Sequence, residues 1–154
     1  MELDGAVEYL LQHVSFVMGR QLDQVLQEQL GIGISQFKIL RVLDAQPHIQ
    51  QRKLAEHLGQ TEASISRQIK LMLDKGLLNT STNPENRREH ITVPTPKGTK
   101  LAQAAQQVLD KYSAPVFAEL NDKQKKQMVD MLKTMHAWIC QPGKLTSCDH
   151  PFNL

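Results

Sequence analysis

The sequence predicts a mainly α-helical fold with one small β-hairpin, and three observations predict it. Apolar residues recur at helical spacing through most of the 154 residues. Capping residues (Ser35, Thr61, Thr95, Asn121) and glycine exits cut that pattern into six helical segments. A single pair of short β-forming runs, Leu77 to Thr80 and about His90 to Val93, flanks a polar, turn-prone stretch.

The first helix covers about residues 2–29, where Leu3, Val7, Leu10, Val14 and Val17 fall on one face. At 1.5 Å per residue it is about 40 Å long, which is long for a small domain. Its wide apolar stripe needs a partner, and a second copy of the chain is a natural one. After Gly31 and Gly33, Ser35 is expected to cap a short helix that carries Phe37, Ile39, Leu40 and Leu43 and stops before Pro47. Residues 51–58 form the next, with Leu54, Ala55 and Leu58 inward and Gly59 as its exit. Thr61 opens a helix to about Lys75 with Ile65, Ile69, Met72 and Leu73 on one face, and Gly76 ends it. The hairpin follows. Thr95-Pro96 then starts a helix to about Tyr112, with Pro115 expected to kink it or force a restart. Asn121 caps a last helix with Met128, Met131, Leu132, Met135 and Trp138 inward.

At 40% hydrophobic and 22% charged, the composition is that of an ordinary soluble domain. No run approaches the roughly 20 apolar residues of a membrane span. The start lacks a signal peptide's basic-then-apolar order, so the expected location is the cytoplasm. The net charge of +2 is unevenly spread: residues 1–49 carry −3, residues 50–100 carry +4 and residues 101–154 carry +1. A polyanion can use the middle third.

That third also holds the functional pattern. Helix 51–58, the Gly59-Gln60 turn and helix 61–75 make a helix-turn-helix, with the hairpin as a wing. Opposite Ile65, Ile69 and Met72, the second helix shows Ala63, Ser64, Arg67 and Lys70, with Thr61 at the tip. Short residues let the backbone approach DNA, Arg67 suits a bidentate bond to guanine, and Ser64 and Ser66 can reach a base or a phosphate. Lys70 and Lys75 suit phosphates. Arg87 and Arg88 at the wing tip suit an adjacent minor groove. The alternatives are a basic helix face that only meets solvent, and a tip neutralised by Glu85 and Glu89.

Six motifs in order complete the picture: Ser-Gln-Phe-Lys-Ile-Leu (35–40), Lys-Leu-Ala-Glu-His-Leu (53–58), Ser-Ile-Ser-Arg-Gln-Ile (64–69), Asp-Lys-Gly-Leu-Leu (74–78), Asn-Arg-Arg (86–88) and Thr-Pro-Lys-Gly (95–98). The ordered set, over about residues 34–101, resembles the MarR family of winged helix-turn-helix transcriptional regulators. The resemblance implies one domain: a DNA-binding lobe at 34–94, dimerisation segments at 2–30 and 95–140, and an irregular tail at 141–154. It also implies a bacterial homodimer with intertwined terminal helices on a palindromic DNA operator, a repressor released by a small-molecule effector. His13, Phe16, Phe37 and Arg41 are the residues it suggests for an effector pocket, with core packing the alternative for both phenylalanines.

Three departures from the family pattern stand out. Asn83 and Asn86 occupy the stretch where the family's wing usually has an aspartate ahead of its arginine. Pro94 replaces an apolar strand residue. No cysteine lies in the first helix, which excludes peroxide sensing by that route.

Cys140 and Cys148, with Asp149 and His150, leave a redox or metal response as an alternative. Their spacing is not that of a zinc site, so no metal or other cofactor is expected. No phosphate loop, nucleophile elbow or paired carboxylates suggest an enzyme. A winged helix that binds another protein is the remaining class.

Overall fold

The computed structural model describes residues 2–86 and 90–141. Its elements are α1 (Leu3–Leu30), α2 (Ile34–Ala45), α3 (Gln51–Leu58), α4 (Glu62–Asp74), β1 (Leu78–Thr82), β2 (His90–Pro94), α5 (Pro96–Ala118) and α6 (Asp122–Ile139). The mainly α fold with a small β-wing is therefore present. β1 and β2 pair antiparallel, from Leu78 opposite Pro94 to Thr82 opposite His90. Pro94 ends its strand in a two-stranded sheet, a place where a missing N–H costs little.

Two cores hold these elements. In the larger, Leu40 and Leu43 of α2, Leu54 of α3, and Ile65, Ile69 and Met72 of α4 pack with Leu77, Leu78 and Ala102. This is the inward face expected for each short helix. The smaller core joins α1 to α5 through Val25, Leu26, Ile32, Phe37, Ala105 and Leu109. A fully buried leucine stabilises by about 1.5–3 kcal/mol, so these faces hold α2, α3 and α4 against one another.

Three expectations need correction. Ser35 lies inside α2, whose N-cap is Gly33. A carboxylate from another helix does the capping: Asp23 Oδ1 of α1 accepts from the Ile34 N–H at 2.8 Å. α5 passes through Pro115 to Ala118 without a restart. Pro115 sits in the final turn, so one intrahelical bond is lost, near exposed carbonyls that water can satisfy. α6 buries nothing. Met131 is 61% and Trp138 69% exposed, so the expected inward face is not buried among the described residues.

The same holds for the first half of α1, whose buried residues are only Val25 and Leu26. Leu3, Leu10, Val14 and Phe16 are all exposed. Phe16 therefore does not pack in the core of the protomer, whereas Phe37 does.

The start of α5 grips the exit of α4. Thr95 Oγ1 donates to the Gly76 carbonyl at 2.7 Å, the Thr95 N–H donates to the Leu77 carbonyl at 3.0 Å, and Lys97 Nζ donates to the Lys75 carbonyl at 2.8 Å. Gly98 makes this approach possible, because a Cβ there would collide with the Leu77 carbonyl oxygen. Gly98→Ala should cost about 1–3 kcal/mol, the usual range for overpacking. The urea midpoint should fall with little change in slope. An unchanged midpoint would contradict so close an approach.

Candidate nucleic-acid interface

The turn between α3 and α4 is set by backbone chemistry. Gly59 has φ of 63°, a left-handed conformation that a side chain would disfavour. It lets the Gln60 N–H reach the Ala55 carbonyl at 2.9 Å and its own N–H reach Glu56 at 3.2 Å. This pair of bonds is the Schellman exit that closes a helix. α4 starts two residues later. Thr61 is its N-cap, and the Thr61 hydroxyl accepts from the Ser64 N–H at 3.2 Å. Losing such a cap typically costs about 1 kcal/mol.

Burial of Ile65, Ile69 and Met72 fixes the outward face of α4. Thr61, Ala63, Ser66, Arg67 and Lys70 are exposed. Among the described residues neither Arg67 nor Lys70 forms an ion pair, so both cations are available to a polyanion. Ser64 is half-buried, and its hydroxyl donates to Gln60 Oε1 at 3.3 Å. Its hydroxyl is engaged inside the lobe and that of Thr61 caps the helix, while Ser66 stands on the exposed rim. Sequence reasoning misses Gln60, because a polar residue after a turn glycine carries no signal of the partners it finds.

The wing is tied to this unit. The Thr92 N–H donates to the Pro47 carbonyl at 3.3 Å, and the Thr80 and Thr92 hydroxyls lie 3.1 Å apart across the ribbon. At the tip, Asn83 Oδ1 accepts from the Glu85 N–H at 3.0 Å, an Asx-turn that begins the reversal. Asn83 thus shapes the turn where the resembling family has an acid. Arg87 and Arg88, the expected minor-groove residues, lie outside the described residues, as does Glu89. Between wing and helices is a cleft of about 450 Å³, with Leu54 and Ile69 in its floor and His48, Glu62 and His90 in its walls.

The four effector-pocket candidates are not brought together within one chain. Phe37 belongs to the core. His13 is exposed on α1 and stacks on Tyr9 with ring centroids 5.6 Å apart. Phe16 lies under the Arg20 guanidinium at 5.7 Å. Arg41 lines a small cleft of about 70 Å³ with Asp44, Pro94 and Gln103, which none of the other three reaches. Cys140 is the C-cap of α6, and Cys148 with Asp149 and His150 falls outside the described residues. No helix among the described residues is long and apolar enough to cross a membrane.

Comparison with known proteins converges on the same lobe. The MarR family model matches residues 32–90, from the start of α2 to the wing. The HTH-type transcriptional repressor Rv2887 of Mycobacterium tuberculosis is 26% identical over 132 residues, covering 86% of this chain and 94% of that protein. A crystal structure of Rv2887, described as a MarR family protein in complex with p-aminosalicylic acid, superposes with a TM-score of 0.70. It is 25% identical over 83% of this chain and 96% of that one. The Staphylococcus aureus MepR–DNA complex superposes with a TM-score of 0.72 at 25% identity, covering 85% of this chain and 96% of that one.

Proposed function

We propose that this chain, whose helix-turn-helix lobe matches the MarR family model and whose relatives include transcriptional repressors, is a MarR-type repressor that binds a palindromic operator as a homodimer and is released by a small molecule. The observation that carries the DNA reading is the outer face of α4. Short residues at its start and two cations without ion pairs among the described residues stand on a helix-turn-helix closed by Gly59. In this role Arg67 reads a base edge, Thr61, Ala63 and Ser66 allow close approach, and Lys70 contacts phosphate. Ser64 contributes mainly by holding the first turn. Arg87 and Arg88 add charge at the wing and enter a minor groove.

Exposed apolar residues support the homodimer. Leu3, Leu10 and Val14 on α1, Val116 on α5, and Met131 and Trp138 on α6 would remain in water in a monomer. A patch of this kind on a soluble chain marks an interface. Helices 2–30 and 95–140 are thus the dimerisation segments, around the lobe at 34–94.

The Rv2887 complex with p-aminosalicylic acid supports a small-molecule effector. Of the four pocket candidates, His13 and Phe16 stay available on α1, where a partner's helices can enclose them. A regulator of this kind works in the cytoplasm, beside the DNA. It is not an enzyme.

Selection of bound duplexes from a random pool tests this reading. The enriched sequence should have two-fold symmetry, with half-sites centred about one helical turn apart. No enrichment, or an asymmetric single site, would contradict it.

A further inference from the structure

We infer that Gln60 is a positioning residue for DNA recognition, a latch that sets the first turn of α4 against α2; this inference rests on the DNA-binding reading above. Gln60 lies in neither helix of the helix-turn-helix. Its backbone N–H is bound to the Ala55 carbonyl of α3 at 2.9 Å. Its side-chain Nε2 donates to Ser35 Oγ of α2 at 2.7 Å, across 25 residues of sequence. Its Oε1 accepts from Ser64 Oγ of α4 at 3.3 Å. One half-buried residue thus joins three helices at the point where the recognition helix begins. The chain of bonds continues outward, because Asp23 of α1 holds the Ile34 N–H, next to Ser35, and also accepts from Gln27 Nε2 at 2.7 Å.

The core alone does not supply this placement. Ile65, Ile69 and Met72 decide which face of α4 is buried, but apolar contact is non-directional and resists small sliding or rotation weakly. Hydrogen bonds at the first turn are directional, and that turn stands nearest the base edges. Base contacts demand close geometry, whereas attraction of cations to phosphates does not. Loosening the latch therefore harms discrimination between sequences more than it harms general affinity for DNA.

The test compares wild type, Gln60→Ala, Ser35→Ala, the double variant and Ser35→Thr. Each is titrated against the selected operator and a random duplex at several salt concentrations, with thermal melting alongside. Each alanine variant should lose about tenfold on the operator, as expected for one or two net hydrogen bonds. Affinity for random duplex and the salt slope should stay close to wild type, and the melting temperature should fall by no more than a few degrees, as the loss of one or two bonds entails. The double variant should lose no more than either single one, because both remove the same latch. Ser35→Thr keeps the hydroxyl and should keep discrimination. Unchanged discrimination in Gln60→Ala overturns the inference. So do additive losses, or parallel losses on both duplexes with a larger fall in melting temperature. If wild type itself prefers no sequence, the DNA-binding reading fails and takes the latch with it; a wild type that discriminates isolates the latch for judgement.

Discussion

Leu10→Glu combined with Val14→Glu should convert the protein to a monomer and lower operator affinity on the order of 10²–10⁴-fold. Both residues are about half exposed on α1, one helical turn apart, in the stretch that buries nothing within the chain. Glutamates there would have to lose their hydration when a second copy docks, which is strongly unfavourable without a counter-charge. The folded lobe should survive, because neither core uses residues 10 and 14 and α1 joins the smaller one only from Leu22 onward. The loss on DNA is large because a dimer binds its second half-site at high effective concentration, and a monomer forfeits that advantage. Sedimentation at micromolar concentration should give about twice 17.4 kDa for wild type and 17.4 kDa for the variant. A wild-type monomer, or a variant monomer that binds as tightly as wild type, would overturn the dimer.

Arg67→Ala should cost about 1–3 kcal/mol on the operator, roughly five- to 150-fold, and the loss should fall on one base position in each half-site. Arg67 is exposed, has no ion pair among the described residues, and stands on the face opposite Ile65, Ile69 and Met72. A bidentate guanidinium bond to guanine has directional geometry that no other base reproduces. Arg87 is expected to behave differently. As a wing-tip cation it responds to groove width and charge, so Arg87→Ala should weaken binding to many sequences alike. It should also lower the salt slope by about one unit for each phosphate that is no longer neutralised.

Features decided within a few residues were legible in the sequence. Thr61, Thr95 and Asn121 cap their helices, and Gly59 takes the left-handed exit, because each depends on neighbours three or four positions away. The outer face of α4 was legible too, since helical periodicity alone places Arg67 and Lys70 opposite the buried residues.

What the sequence hid depends on distant partners. Ser35 has the composition of an N-cap, yet Asp23, 11 positions from Ile34, satisfies that helix start, which leaves the Ser35 hydroxyl for Gln60. The period of α6 announced an inward face but could not say that its apolar residues stay unburied among the described residues. The effector candidates scattered for a similar reason. Resemblance suggested four residues, while packing committed Phe37 to the core and left Arg41 in a cleft apart from the others.

Readout of base edges by α4 is tested most directly by titrating wild type and Arg67→Ala against the selected operator and every single-base variant of it. Wild type should show one position per half-site where each substitution costs about 1–3 kcal/mol. In Arg67→Ala that preference should vanish at that position and persist at the others. Equal losses on every duplex would contradict direct readout by Arg67, and undiminished binding to all of them would place the DNA-binding surface somewhere other than α4.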